Sequence, residues 1–142
     1  MTPRISDQLR RHSVALISLF VALSGLAYNT WRNERTEENK NIRTAGIEVL
    51  LMLSDLDRVV FYAHYDGDTA AGNPRTGWAL VLTIRDLGGL TMEPAITSTQ
   101  TLVEIWEANW AGLGNDDEQA EKISDAIEHV RSDVLLVISL LD

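Results

Sequence analysis

The residues of this chain best suited to bind a metal ion lie in one short segment, His64-Tyr65-Asp66-Gly67-Asp68. Two aspartates one residue apart, beside a histidine, could hold a hard cation through oxygen. A calcium-binding loop also needs an oxygen ligand at its fifth position and a glutamate at its twelfth, where this chain has Ala70 and Gly77. We therefore interpret the segment as the solvated end of a helix followed by a turn, and we predict no metal site.

Other residues with ligand chemistry give weaker signals. His129 has a neighbouring glutamate, but a di-iron centre in a helical bundle needs Glu-x-x-His on two helices, and the sequence contains no such motif. Met52 and His64 are conceivable axial haem ligands, which we keep as a remote alternative. The chain has no cysteine, no nucleophile elbow, no phosphate-binding glycine loop and no zinc motif. We expect a non-enzymatic protein without a cofactor.

Three tryptophans form the other candidate ligand site. Trp78, Trp106 and Trp110 fall in two short predicted helices and could line a pocket for a flat or cationic ligand. Tryptophans at helical spacing more often fill a hydrophobic core, and we favour that interpretation.

The element that must position the rest of the chain is an apolar N-terminal segment. Residues 12–31 are twenty consecutive positions without lysine, arginine, aspartate or glutamate. A helix of that length is about 30 Å long, which matches the hydrocarbon core of a bilayer. We predict a transmembrane anchor at 12–31 that contacts lipid. The flanking residues expected at the membrane interface are Arg10, Arg11, Tyr28, Trp31 and Arg32.

Two alternatives exist for this segment. A basic start followed by an apolar stretch is also typical of a secretory signal, and Gly25-Leu26-Ala27 would permit cleavage after Ala27. Apolar character nevertheless continues to Trp31, so we favour an uncleaved anchor. A buried helix of a soluble domain is disfavoured because residues 14–27 show no polar stripe.

The distribution of charge predicts a topology and excludes some partners. Residues 1–31 carry a net charge of +2, whereas residues 32–142 carry nine basic and twenty acidic side chains, a net charge of −11. We expect residues 1–11 in the cytoplasm and the acidic body outside it, in the periplasm if the membrane is the inner membrane of a Gram-negative bacterium. An acidic body repels phosphate backbones, so no nucleic-acid partner is expected.

Beyond the anchor, the apolar pattern predicts helices throughout. Apolar residues recur every three or four positions, and no alternating pattern predicts a strand. The predicted boundaries are an end near His64 or Tyr65 for the first helix, Asn73 and Gly88-Gly89 for the second, Thr91 or Pro94 and Gly112 for the third, and Asn115 as the N-cap of the fourth. The fold class expected is all-α, with the transmembrane helix continuing into an antiparallel up-down-up-down four-helix bundle at 42–142.

Two segments of this body lack the usual amphipathic pattern. Residues 32–41 contain no apolar side chain, which predicts an exposed helical stalk. The run Val134–Leu141 is apolar on every face except at Ser139. It either packs inside the bundle or leaves one side free for a second copy or another membrane or periplasmic protein. The candidate interface residues are Val134, Leu135, Leu136, Ile138 and Leu140.

Two functions fit these features. The first is a non-enzymatic interaction or scaffold subunit of a membrane-associated complex. The second is a ligand-binding sensor that signals through a partner, because a helical bundle outside the membrane is similar in architecture to the four-helix domains of bacterial chemoreceptors. Those receptors have two membrane spans and a cytoplasmic output domain, whereas this chain has one span. A resemblance to type IV pilins fails because the processing glycine and the following glutamate are missing.

Overall fold

The computed structural model describes the backbone of residues 5–141 and the side chains of residues 12–141. Over this part of the chain the fold is all-helical, with no strand, which confirms the predicted class. The four α-helices are α1 (Ile5–Phe61), α2 (Pro74–Gly88), α3 (Ala95–Asn109) and α4 (Asp117–Ser139). A π-helical turn, Tyr62–Asp66, follows α1, and a 3-10 turn, Trp110–Gly112, follows α3. The chain divides into two compact units, one through Glu38 and one from Asn39, so the boundary falls inside the predicted stalk.

The first unit contains the long apolar part of α1. Every side chain from His12 to Trp31 is exposed, and the helix is long and apolar enough to cross a membrane. It is the only helix in the described part of the chain that meets this test of length and composition. An exposed surface of this kind is unfavourable in water, because each buried leucine-sized side chain is worth about 2 kcal/mol relative to exposure.

The second unit has one hydrophobic core. All four helices contribute to it, and the largest side chains with almost no exposed surface are Trp106, Leu53, Leu56, Ile84, Leu102, Leu113, Ile123, Ile127, Val49, Val81, Val130 and Val134. The three-four spacing of apolar residues predicts one inward-facing stripe on the last helix. Its members lie in this core except for Leu141, which is half-buried: Ala120, Ile123, Ile127, Val130, Val134, Val137 and Leu141. The apolar period read from the sequence therefore identifies the inward face of this helix correctly.

Local sequence explains where α1 ends and α2 begins. The chain leaves α1 through the π-helical turn and stops at Gly67, whose φ of 62° is left-handed and suits a residue without a Cβ. The side chain of Asn73 then accepts a hydrogen bond from the Arg75 backbone N–H at 3.0 Å, and Pro74 occupies the first helical position. These boundaries agree with the prediction to within a few residues.

The start of α4 differs from the prediction by one residue. Asp116, not Asn115, is the N-cap, because its Oδ1 accepts a hydrogen bond from the Gln119 backbone N–H at 3.2 Å. Its Oδ2 also accepts a hydrogen bond from Gln119 Nε2 at 3.1 Å. Both residue types cap helices well, so composition alone does not distinguish them. The choice follows from the backbone, since Asp116 has the extended conformation of a cap and Asn115 belongs to the preceding turn.

This difference can be measured. We expect Asp116→Ala to lower the free energy of unfolding by about 1 kcal/mol, because it leaves a backbone donor of α4 without its acceptor. The matched control is Asn115→Ala, which should change stability by less than about 0.5 kcal/mol because Asn115 is an exposed turn residue. Thermal unfolding of the full chain in detergent, followed by circular dichroism, makes the comparison. Equal losses in the two variants would contradict the assigned cap.

Two glycines allow helices of the second unit to approach closely. A Cβ built on Gly77 of α2 would lie 2.2 Å from two atoms of the Trp106 ring of α3. A Cβ on Gly46 of α1 would lie 3.2 Å from side-chain atoms of Ile138 and 3.4 Å from a methyl group of Val134, both on α4. The first contact leaves no room for a larger residue, whereas the second is tight but involves a flexible isoleucine side chain.

Candidate functional site

The predicted membrane-interface residues form a small aromatic and basic group on α1. The rings of Tyr28 and Trp31 are 6.2 Å apart at an interplanar angle of 42°, and both side chains are exposed. The Arg35 guanidinium carbon lies 6.0 Å from the Trp31 ring centre, within the range of a cation–π contact. Arg32 is also exposed. The side chains of the predicted residues Arg10 and Arg11 lie outside the described part of the structure.

The three tryptophans of the candidate ligand pocket lie in three different environments. Trp106 has no exposed surface and packs against Gly77 in the core. Its Nε1 is buried without a hydrogen-bond partner among the described residues. Trp78 is half-buried on α2, and Trp110 is exposed in the turn after α3. In this conformation Trp106 is therefore a core residue, and its indole is not presented to solvent.

The candidate partner interface on α4 is divided between the core and the surface. Val134 is fully buried and Ile138 is half-buried, and both pack near Gly46 of α1. Leu135, Leu136 and Leu140 are about half exposed or more. The apolar run at 134–141 is therefore partly buried and partly exposed. One side of it packs into the core, and the other side leaves leucines exposed to solvent.

One group of exposed apolar residues flanks the contact between α1 and α4. Ile47 directly follows Gly46, and Leu135 directly follows Val134, so both lie next to this contact. Leu51 is one helical turn beyond Ile47. We call Ile47, Leu51 and Leu135 the lateral patch, and each of these side chains is about half exposed. The sequence alone predicted Leu135, but it did not predict Ile47 and Leu51. In the sequence these two residues only widen the apolar stripe of α1 beyond the face that packs into the core.

A second group of exposed apolar residues lies at the end of the second unit that contains its first residue, Asn39. The Asn39 Nδ2 donates a hydrogen bond to the Leu141 carbonyl oxygen at 3.5 Å, which brings the end of α4 to the start of the unit. The connection after α2 reaches the same end, because Leu87 and Leu90 line a groove with Asn41 and Ala45. We call the exposed residues Leu90, Met92, Leu136 and Leu140 the proximal patch. Sequence analysis missed its α2–α3 members, since apolar residues in a turn give no periodic signal.

The opposite end of the unit contains the histidine of the candidate metal segment. His64 is largely buried, with 12% of its side chain exposed, and its Nδ1 lies 3.0 Å from the Leu113 carbonyl oxygen. A carbonyl can only accept, so Nδ1 carries the proton and donates. The Nε2 lies 3.3 Å from Asp117 Oδ1. His64 thus connects the end of α1 to the turn before α4 and to its first residue.

The remote haem alternative does not fit this geometry. Met52 and His64 are twelve residues apart along α1 and its terminal turn, which corresponds to about 18 Å. Two side chains so far apart on one helix cannot bind opposite sides of one iron. Nδ1 of His64 is also engaged by a backbone carbonyl.

The two aspartates of the same segment have separate roles. Asp68 Oδ1 accepts hydrogen bonds from the backbone N–H groups of Ala71 and Ala70 at 3.0 and 2.9 Å, and these bonds lower the pKa of Asp68 below its ordinary value of 3.8. Because the pKa is lowered on folding, the carboxylate stabilises the turn above about pH 4, and this contribution is lost as the pH falls further. Among the described residues, no group of three or more histidine or acidic side chains could hold a metal ion.

A groove of about 510 Å³ lies beside His64. Its lining residues are Val60, His64, Tyr65, Asp117, Ala120, Glu121 and Ser124. The exposed Tyr65 ring and two carboxylates give it a character suited to an uncharged or cationic group. Sequence analysis did not find this groove, because its two walls come from helices more than fifty residues apart in the chain.

Sequence and fold similarity supply no assignment for any of these surfaces. No protein-family model, no curated protein and no solved structure matches this chain.

Proposed function

We propose that this protein is a non-enzymatic, single-pass protein of a bacterial inner membrane, whose extracytoplasmic helical domain is an interaction subunit of a membrane-associated complex. The observation that carries the proposal is the lateral patch, an exposed apolar surface on an otherwise acidic domain tethered by an apolar helix. Exposed apolar surface beyond scattered single residues is typical of contact sites. A tethered domain with such a surface is suited to hold another protein at the membrane.

The proposed architecture is an antiparallel up-down-up-down bundle over residues 42–142. Contacts at the two ends of the part of α1 that belongs to the second unit, residues 39–61, support it. His64, just after the end of α1, contacts Asp117 at the start of α4, whereas Asn39 contacts Leu141 just after the end of α4. Two helices joined in this way run in opposite directions. In such a bundle the C-terminus returns to the end of the domain where the stalk enters.

The proposed topology places residues 1–11 in the cytoplasm, residues 12–31 in the bilayer and residues 32–142 in the periplasm. Arginines precede the apolar segment, and carboxylates accompany the basic residues that follow it. Its strong negative charge makes the domain a poor ligand for nucleic acid, and contact with anionic surfaces is unfavourable except at its uncharged segments. The exposed apolar side chains of the lateral patch call for a partner with an uncharged apolar face.

A second copy of the chain meets this requirement. Copies anchored in one membrane share one orientation, so their lateral patches lie at the same height and can face each other about a two-fold axis. The lateral patch has only three residues on each copy, whereas a stable soluble complex buries ~800 Å² per partner, about 20–30 residues a side. Confinement in the membrane compensates by raising the effective concentration of the copies.

The chain has no cysteine, so single-cysteine variants test this proposal without background. In native membranes, Ile47→Cys and Leu135→Cys should give a disulfide-linked dimer on mild oxidation. The matched control is Leu82→Cys on α2, which has a partly exposed leucine outside the patch and should stay monomeric. A cross-link to one other protein, lost when Leu51→Glu is added, would identify a heterologous partner instead. Monomer at all three positions, without any adduct, would reject the proposal.

The groove beside His64 favours a second candidate, a ligand-binding sensor that acts through a partner. Ligand binding there should raise the thermal unfolding temperature, and Glu121→Gln should weaken that effect for a cationic ligand. If a panel of organic amines gives no shift in the wild-type chain, this candidate loses its support.

A further inference from the structure

The structure also points to a second contact with the membrane, and we propose that the proximal patch rests on the lipid headgroup layer of the bilayer that holds the anchor. This contact is separate from the transmembrane helix and does not use the lateral patch. Its occupant is lipid, and its members are Leu90 and Met92 in the α2–α3 connection and Leu136 and Leu140 on α4.

Apolar side chains are exposed at one end of the unit. Leu90 is 64% exposed and Leu140 is 62% exposed, which makes them among the most exposed apolar residues of the second unit. Leu136 lies one turn before Leu140 on the same helix face. Leaving these leucines in water forgoes hydrophobic free energy that contact with an apolar phase would supply.

The two segments that form the patch carry no charged side chain. Residues 87–92 and 134–141 contain no lysine, arginine, aspartate or glutamate. Glu48 lines the groove beside Leu90, and Glu93 follows Met92, so charge resumes at the edges of the patch. Because the unit as a whole is strongly acidic, these uncharged segments are the part of it that a bilayer with anionic lipids repels least.

The chain between the anchor and the patch is short. Asn39, which contacts Leu141, lies eight positions after Trp31 at the predicted membrane interface. Eight residues span about 12 Å as a helix and at most about 28 Å when fully extended. The headgroup layer itself is about 5–8 Å thick on each side of the bilayer. As a helix, the tether is about 4–7 Å longer than this layer is thick, and helix tilt together with the length of a leucine side chain can close that gap.

The same tether disfavours a second copy as the occupant. In every copy the tether enters the unit at Asn39, next to the proximal patch, so two copies held by one membrane cannot bring these patches face to face as freely as untethered molecules can. The lateral patch has no such restriction. Lipid is thus the one apolar phase that is present next to the proximal patch in every copy.

The experiment uses the full chain reconstituted in phosphatidylcholine vesicles at a low protein-to-lipid ratio. Single cysteines at Leu90 and Leu140 carry an environment-sensitive fluorophore, and lipids with a spin label near the headgroup act as quenchers. We expect quenching at both positions at least threefold stronger than at Leu82→Cys and Tyr65→Cys. Tyr65 is more exposed than Leu140 but lies at the opposite end of the unit, so it controls for exposure alone.

Two outcomes would overturn the inference. In the first, quenching at Leu90 and Leu140 equals that at the control positions. In the second, the fluorophores report an apolar environment that disappears when the protein is diluted in lipid, which would indicate contact between proteins. As a further check, Leu136→Asn with Leu140→Asn should reduce quenching at position 90 to the control level. The cross-link at Leu135 should persist in that variant, so failure here is distinguishable from failure of the proposed function.

Discussion

Gly77→Ala is expected to destabilise the domain by about 3 kcal/mol. In an ordinary helix interior this change stabilises, because alanine has the higher helix propensity by about 1 kcal/mol. Here the new Cβ would lie 2.2 Å from two atoms of the buried Trp106 ring, so α2 and α3 must move apart or the indole must leave its position. Overpacking of this kind costs about 1–3 kcal/mol and sometimes more. Chemical denaturation of the full chain in detergent, followed by circular dichroism, measures the loss.

The matched control for this prediction is Gly89→Ala. Gly89 has a φ of −62°, and the nearest atoms to its added Cβ are 3.4 and 3.7 Å away, so we expect a change within about 0.5 kcal/mol. Trp106→Phe provides a second check, because phenylalanine lacks the outer ring atoms that the Cβ would meet and also removes the unpaired indole N–H. The double variant Gly77→Ala with Trp106→Phe should be more stable than the sum of the single changes by at least about 1 kcal/mol. Full additivity would contradict the contact.

The second large effect concerns the anchor. Leu19→Lys together with Leu23→Lys should move the chain from the carbonate-resistant membrane fraction to the extractable fraction. Each lysine near the centre of a span costs about 3 kcal/mol on insertion, and the span contains no other charge to compensate. The control is Asn33→Lys, which places a lysine in the polar stalk rather than in the span and should leave the protein in the membrane. Mass measurement of the wild-type chain shows at the same time whether residues before Ala27 are retained.

One result would contradict the predicted membrane anchor. If the wild-type chain, with its first thirty residues intact, were found in the soluble fraction without detergent, the apolar segment would not be a membrane span. The exposed part of α1 would then need another covering surface, since a long, mostly apolar surface of this kind is unfavourable in water.

Much of the fold could be predicted because it depends on local chemistry. Asn73 followed by Pro74 begins α2, and the glycines at 88 and 89 end it, because these residues satisfy or interrupt backbone hydrogen bonds in any context. The regular apolar spacing on α4 identifies its core face for the same reason. The one-residue difference at Asp116 shows the limit, since two adjacent capping residues have nearly equal propensities and the preceding turn selects between them.

The candidate surfaces were less predictable than the helices. The apolar run at the end of α4 has no polar face, so its sequence leaves open which leucines are covered. The close approach of α1 at Gly46 decides this, because it buries Val134 and leaves Leu135 outside. Likewise, nothing in the sequence around His64 indicates that Leu113 and Asp117 are its neighbours.

By itself, the sequence determined that this protein is helical, has one segment suited to a bilayer and carries an acidic body, because composition and periodicity act within a few turns of the chain. Only the tertiary structure decided which apolar residues remain exposed and that Leu90 and Leu140, fifty residues apart, lie at one end of the unit. The physical reason is that exposure depends on which helix face is covered by another helix. That covering is a property of packing between distant segments, and no local pattern encodes it.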